Sequence, residues 1–342
     1  MPAATAPDGA SPAAIEIRAL AKRYGRGKDA FTAVQPLTLT VPPGQVIGLL
    51  GPNGAGKTTI IKMIAGLVAP TAGTVRIHGQ DVARQRGAAV RQIGAVLEGS
   101  RNVYWPLSAW QNLMYFGRLK GLRAAEIKPR AQRLLSELGL WERRNETVGS
   151  YSRGMQQKVA IAAALITDPP VILLDEPTIG LDVEAARTVR DWVAHLARDE
   201  GKTVVLTTHE LGNAQELVGR IAVIRSGTVI ADLPTPDLLA RYAEDRFEVR
   251  VAGTLNGLAG QLPAGARAEA DTGADGTRIT LPDASQDGLQ HFLGQLRDRN
   301  IPLLSVSQAQ PGLEDVFLRL IHDGTAADPR GAHAENGKEP VA

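Results

Sequence analysis

The residues that could do chemistry gather in a few short runs. The first is Gly51-Pro52-Asn53-Gly54-Ala55-Gly56-Lys57-Thr58-Thr59. It follows an apolar segment at 45–50 and opens a helix-like segment at 58–67, the strand–loop–helix setting that a phosphate-binding loop requires. The glycines let the backbone turn its N–H groups toward one point, and a helix N-terminus adds positive dipole there. Lys57 supplies a formal charge for the β- and γ-phosphates, and the Thr58 hydroxyl can ligate Mg2+. Together these features imply binding of a nucleoside triphosphate. The second run is Val171-Ile172-Leu173-Leu174-Asp175-Glu176. Four apolar residues make a buried strand, and the two acids sit at its carboxyl end, where open α/β sheets place ligands. Asp175 suits Mg2+ held through water, and Glu176 suits orienting an attacking water. A third run, Tyr151-Ser152-Arg153-Gly154-Met155-Gln156-Gln157-Lys158, precedes a helix-like segment. Ser152 is a good N-cap there, and its hydroxyl with the following N–H groups could face a phosphate or serve capping alone.

These runs need a scaffold of alternating strands and helices. Apolar and β-branched runs predict strands at 14–20, 45–50, 74–78, 93–97, 171–175, 203–207 and 220–225. Helical periodicity predicts helices at 58–67, 108–120, 124–138, 153–167 and 183–198, and Arg225-Ser226-Gly227-Thr228 reads as a hairpin turn. The expected fold is therefore α/β, of the P-loop NTPase type, over 15–235. A second block, 236–322, predicts a helix at 236–243, a strand at 246–252, a helical piece from Leu255 and strands at 266–270 and 277–281. A helix at 285–299 and a strand at 302–308 complete the order β-α-β-β-α-β, which suggests a small α+β ferredoxin-like sandwich. A last amphipathic helix is expected at 313–321. Segments 1–14 and 323–342 are rich in Ala, Pro and Gly and read as disordered.

Composition narrows the function classes. The 342 residues contain no cysteine, which excludes disulfides, cysteine-ligated zinc and iron–sulfur clusters. Net charge is +2 and no block of five like charges occurs, so a nucleic-acid partner is not expected. No apolar run approaches the roughly 18–20 residues that cross a bilayer. Residues 1–14 lack a basic start and an apolar stretch, so the expectation is a soluble, cytoplasmic chain whose role at any membrane depends on a separate partner.

Taken together, the motifs resemble those of the nucleotide-binding subunit of an ABC transporter. Tyr151 to Met155 stands at the signature motif and Asp175-Glu176 at the Walker B motif. Ile179-Gly180-Leu181-Asp182 resembles the D-loop, Thr208-His209-Glu210 the switch-histidine region, and Tyr24 the aromatic that stacks on adenine. The resemblance implies an ATPase with a helical subdomain at about 99–168 and an N-terminal β-subdomain. It implies two chains paired head to tail around two ATP molecules, each held by Lys57 and Thr58 of one chain and by Ser152 and Gly154 of the other. His209 would contact the γ-phosphate, and Asp182 would couple the two sites.

The sequence departs from the family pattern in the signature, with Arg153 in place of Gly and Met155 in place of Gln. That form resembles the ABC-2 export branch of drug and antibiotic exporters. Glu98 stands where the family has the Q-loop glutamine; it can still ligate Mg2+ but adds a charge. Just beyond it, Tyr104, Trp105, Trp110, Tyr115 and Phe116 place five of the chain's fourteen aromatics within thirteen residues. In the family this region receives a helix from the membrane permease; packing inside the helical subdomain is the other reading. The favoured function is an ATPase powering export of a small, drug-like molecule through a separate permease. The rivals are a soluble ABC-class ATPase not coupled to transport and a non-hydrolysing ATP-binding regulator.

Overall fold

The computed structural model describes residues 13–99, 102–208, 212, 215, 217–242, 247–255, 262–263, 265–270, 276–281, 286–308 and 312–323. The chain divides into two compact units, one running to Thr235 and the other spanning Pro236–His322.

The first unit is built on a six-stranded sheet ordered β10-β9-β3-β8-β7-β6. Its strands are β3 (Val46–Leu50), β6 (Ile93–Val96), β7 (Val171–Asp175), β8 (Thr203–Thr208), β9 (Arg220–Arg225) and β10 (Thr228–Pro234). β3, β6, β7, β8 and β9 pair in parallel, and β10 turns back antiparallel on β9 through the expected turn at 225–228. Every residue of β3, β7 and β8 is buried, as the unbroken Val, Ile and Leu runs require of strands covered on both faces. β8 lies between β3 and β7, with Thr208 opposite Leu50 and Thr207 opposite Asp175. The end of the strand that feeds the phosphate loop and the end that carries the two acids are thereby held one strand apart.

A second, antiparallel sheet is ordered β2-β1-β4-β5: β1 (Ile15–Tyr24), β2 (Phe31–Val41), β4 (Ala72–Ile77) and β5 (Gln80–Asp81). Ile15, Ile17, Leu20, Val34 and Ile77 of this sheet pack in one core with Ile47, Leu49, Ile60, Ile61 and Ile64. The helices are α1 (Lys57–Ile64), α2 (Arg86–Arg91), α3 (Ala109–Leu119), α4 (Ala124–Glu137), α5 (Arg153–Leu165) and α6 (Val183–Arg198). α3 starts on a capping box, in which Ser108 accepts from Gln111 N–H and the Gln111 side chain accepts from Ser108 N–H.

Three elements of the first unit, β2, β5 and α2, have no counterpart in the sequence expectation. β2 is an eleven-residue strand in a stretch to which the sequence assigned no element. Pro36 breaks its pattern and the β1–β2 register shifts repeatedly, features that an edge strand tolerates. α2 is a six-residue helix whose single fully buried residue, Ala89, leaves little periodicity to read.

The second unit holds an antiparallel sheet ordered β12-β13-β11-β14, from β11 (Phe247–Ala252), β12 (Arg267–Ala270), β13 (Gly276–Leu281) and β14 (Leu303–Gln308). α7 (Thr235–Arg241), α8 (Gln286–Asp298) and α9 (Leu313–Asp323) are its helices among the described residues. Val249, Val251, Ile279 and Leu281 of the sheet share a core with Phe292 and Leu296 of α8. Most of the helical piece expected from Leu255 lies outside the described residues. No helix among the described residues is long and apolar enough to cross a membrane.

Candidate functional site: a phosphate loop facing two buried acids

The loop between β3 and α1 owes its path to glycine. Gly56 has φ of 104°, and a Cβ there would stand 2.5 Å from the Ala33 carbonyl oxygen. Gly51 is closed in from the other side, since a Cβ would meet the Ile224 carbonyl oxygen at 2.3 Å. No L side chain fits either position without moving backbone. The loop so formed leads directly into Lys57, the first residue of α1.

Lys57 is buried, and its ammonium donates to the Gly51 carbonyl at 2.7 Å and to that of Pro52 at 3.2 Å. Glu176 Oε1 lies 4.0 Å from it. Burial pulls the Lys57 pKa below its ordinary value, and the negative charges of Glu176, Asp175 and Glu98 oppose that shift. A cation held this way on neutral carbonyls is ready to exchange them for anionic oxygens.

Asp175 ends β7 and is 1% exposed. Its Oδ1 accepts from Thr207 Oγ1 at 2.6 Å and from Thr58 Oγ1 at 3.2 Å. Its Oδ2 is buried with no hydrogen-bond partner among the described residues. An orphaned carboxylate oxygen beside a threonine hydroxyl is a donor set that suits a hard, oxygen-seeking cation such as Mg2+. Glu176 follows with φ of 51°, a left-handed conformation that costs about 1–3 kcal/mol in a non-glycine residue. Its N–H donates to the Thr207 carbonyl at 3.2 Å and to Thr207 Oγ1 at 3.0 Å. One fully buried threonine thus fixes both acids. Sequence reasoning missed Thr207, because its place opposite Asp175 is set by the pairing of β7 with β8.

A cleft of about 590 Å3 opens over the loop. It is lined by Asn53, Gly54, Ala55, Gly56, Lys57, Thr58 and Thr59, and by Glu98, Glu176 and Tyr24. Tyr24 stacks on Phe31 with ring centroids 5.5 Å apart, so the aromatic wall is a pair of rings. Phe31 was also missed, because it begins the unrecognised strand β2. Gly51 and Pro52 stand behind the loop as the carbonyl partners of Lys57.

Other sequence-designated residues lie elsewhere. Ser152 and Gly154 do not line this cleft. Ser152 is exposed and caps α5, accepting from Met155 N–H at 3.3 Å. Gly154 is buried against Ala185, whose Cβ would be 2.6 Å from an added Cβ. Asp182 caps α6 and accepts from Ala185 N–H at 2.7 Å. His209 lies outside the described residues. Of the aromatic cluster, Tyr104, Trp105 and Tyr115 are exposed, whereas Trp110 and Phe116 are half-buried. Tyr104 meets Tyr115 edge-on at 4.9 Å, and Trp110 meets Trp141 at 6.0 Å.

A phosphate loop, a Lys-Thr pair at a helix N-terminus and buried acids at the end of the parallel strand one place removed define a P-loop nucleoside triphosphatase. Residues 34–179 match the ABC transporter family model. Daunorubicin/doxorubicin resistance ATP-binding protein DrrA of Streptomyces peucetius is 36% identical over 341 residues, covering 96% of this chain and 98% of DrrA. ABC transporter ATP-binding protein NatA of Bacillus subtilis is 40% identical over 216 residues, covering 63% of this chain and 87% of NatA. A solved dimeric ATP-binding cassette in a post-hydrolysis state, bound to ADP and Pi, superposes with a TM-score of 0.59 at 29% identity, covering 65% of this chain and 98% of its own. The chain belongs to the ABC transporter family, as an ATP-binding subunit with ATPase activity.

Proposed function

We propose that the chain hydrolyses ATP to power export of a small, drug-like molecule through a separately encoded membrane permease. The observation that carries this is the meeting of Lys57, Thr58, Asp175 and Glu176 at one loop, in a chain similar to DrrA over 98% of DrrA's length. The first part supports hydrolysis, and the second supports the class of cargo. In this reading the cleft takes the triphosphate along the loop N–H groups, with the base against Tyr24 and Phe31. Lys57 leaves the Gly51 and Pro52 carbonyls for the phosphates. Thr58 and Asp175 would hold Mg2+, Asp175 partly through water, and Glu98 would serve as a further ligand. The cation would neutralise phosphate charge. Glu176 orients the attacking water as general base, and His209 contacts the γ-phosphate.

The site is incomplete in one chain. Ser152 and Gly154 lie outside the cleft, which supports a head-to-tail homodimer in which each signature turn faces the partner's phosphate loop and Asp182 links the two sites. The chain would then sit at the inner face of the cell membrane through its permease, with the exposed aromatics after Glu98 as the receiving face. The second unit is read as a ferredoxin-like accessory domain, on the support of its strand order. A soluble ABC-class ATPase is the alternative. The test is Mg-ATP turnover of the pure chain, alone and with its permease, against Glu176→Gln. Turnover abolished by that change, with co-purification of a multi-spanning membrane protein, supports the engine. Turnover with no membrane partner leaves the soluble ATPase. Turnover no higher than that of Glu176→Gln in both settings refutes hydrolysis.

A further inference from the structure

Both charged departures from the family pattern lie in one place. A small cleft of about 110 Å3 adjoins the nucleotide cleft, and its lining includes Glu98, Arg153, Gln157, Asp175 and Glu176. Arg153 begins α5, and its guanidinium reaches the turn after β7, with Nη1 2.9 Å from where a Gly180 Cβ would stand. Glu98 also lines the nucleotide cleft and is one of three carboxylates whose charge Lys57 feels. Glu98, Asp175 and Glu176 give three negative charges; Lys57 and Arg153 give two positive, for a net of −1. Gln at 98 with Gly at 153 would give two negative and one positive, again −1. The two departures change the residues and preserve the balance.

We propose that Arg153 is the charge counterpart of Glu98, setting the electrostatic balance that the nucleotide and its cation meet in this site. This rests on the proposed reading of the cleft as an Mg-ATP site. A Glu at 98 adds attraction for a cation and repulsion for polyphosphate; Arg153, which lines the same small cleft, offsets both. The residues act through field rather than contact, so each single change moves affinity in an opposite direction and the two together cancel.

The test is calorimetric titration of the full chain with ATP in EDTA, where no hydrolysis occurs, and with ADP both in EDTA and with Mg2+. Glu98→Gln is expected to tighten metal-free ATP binding about threefold and Arg153→Gly to weaken it about threefold, the scale of a partly exposed charge interaction. The gain in affinity on adding Mg2+ should shrink in the first and grow in the second. The double variant should return to within about twofold of the parent, and Arg153→Lys should behave as the parent. Raising salt to about 1 M should compress all these differences. Single changes that shift ATP affinity in the same direction, or a double variant no closer to the parent than either single, would overturn the pairing. A parent chain that binds neither ligand would overturn the underlying site reading instead.

Discussion

At the scale of single residues, the site depends on groups that are buried before any ligand arrives. Thr207 is the clearest case, because its one hydroxyl donates to Asp175 and accepts from the Glu176 N–H. Thr207→Val keeps shape and removes both bonds. A buried hydrogen bond left unmade costs about 1–3 kcal/mol, so turnover should drop about tenfold to a hundredfold. Thr207→Ser should recover most of it, and unchanged turnover in the valine variant would remove Thr207 from the machinery. Lys57 gives a pH signature. Its pKa is lowered from 10.5 by burial, so between the lowered value and 10.5 the folded, nucleotide-free chain binds fewer protons than the unfolded one. Stability of the nucleotide-free chain therefore gains from Lys57 as pH rises through that window. Bound phosphates favour the charged form, so ATP binding there should take up a proton and weaken with rising pH. Calorimetry in buffers of different ionisation enthalpy measures the uptake, and Lys57→Arg should abolish it.

At the scale of elements, helix starts and strand ends position the chemistry. α5 is capped by Ser152, whose hydroxyl accepts from Met155 N–H while remaining exposed. Ser152→Ala should cost about 1 kcal/mol of stability as a lost cap. If the turn also serves a partner's phosphates, turnover should fall more than tenfold while the ATP affinity of the isolated chain holds. A loss of stability with normal turnover would reduce Ser152 to a cap. The same elements explain what could be read beforehand. The phosphate loop and Asp175-Glu176 were legible because each follows a run of apolar residues that only a doubly covered strand accommodates. β2 was missed although Leu37, Leu39 and Val41 alternate with exposed Thr38 and Thr40, because Pro36 interrupts the run and the residues before it do not alternate, and Phe31 was lost with it. Thr207 was hidden for a different reason. Its importance comes from lying opposite Asp175 across a parallel pair, and cross-strand register is a long-range property.

At the scale of the whole molecule, one chain supplies a nearly complete phosphate cradle and holds its signature turn outside it. In the proposed dimer, two copies related by a two-fold axis would complete each other, and a solved cassette at 29% identity is dimeric. If ATP bridges the copies, a chain that binds but does not hydrolyse should stay closed around it. Glu176→Gln is expected to elute as a dimer in Mg-ATP and as a monomer in Mg-ADP, because the γ-phosphate is the group that both chains would hold. Adding Lys57→Ala should return it to monomer by removing the cradle's charge. Adding Ser152→Glu should do the same by setting a carboxylate against the partner's phosphates, while leaving each chain's own loop intact. Size-exclusion with light scattering reads all four states. A Glu176→Gln chain that stays monomeric across ATP concentrations well above its dissociation constant would confine the site to a single chain, and the separation of Ser152 from Lys57 would then need a closure within that chain.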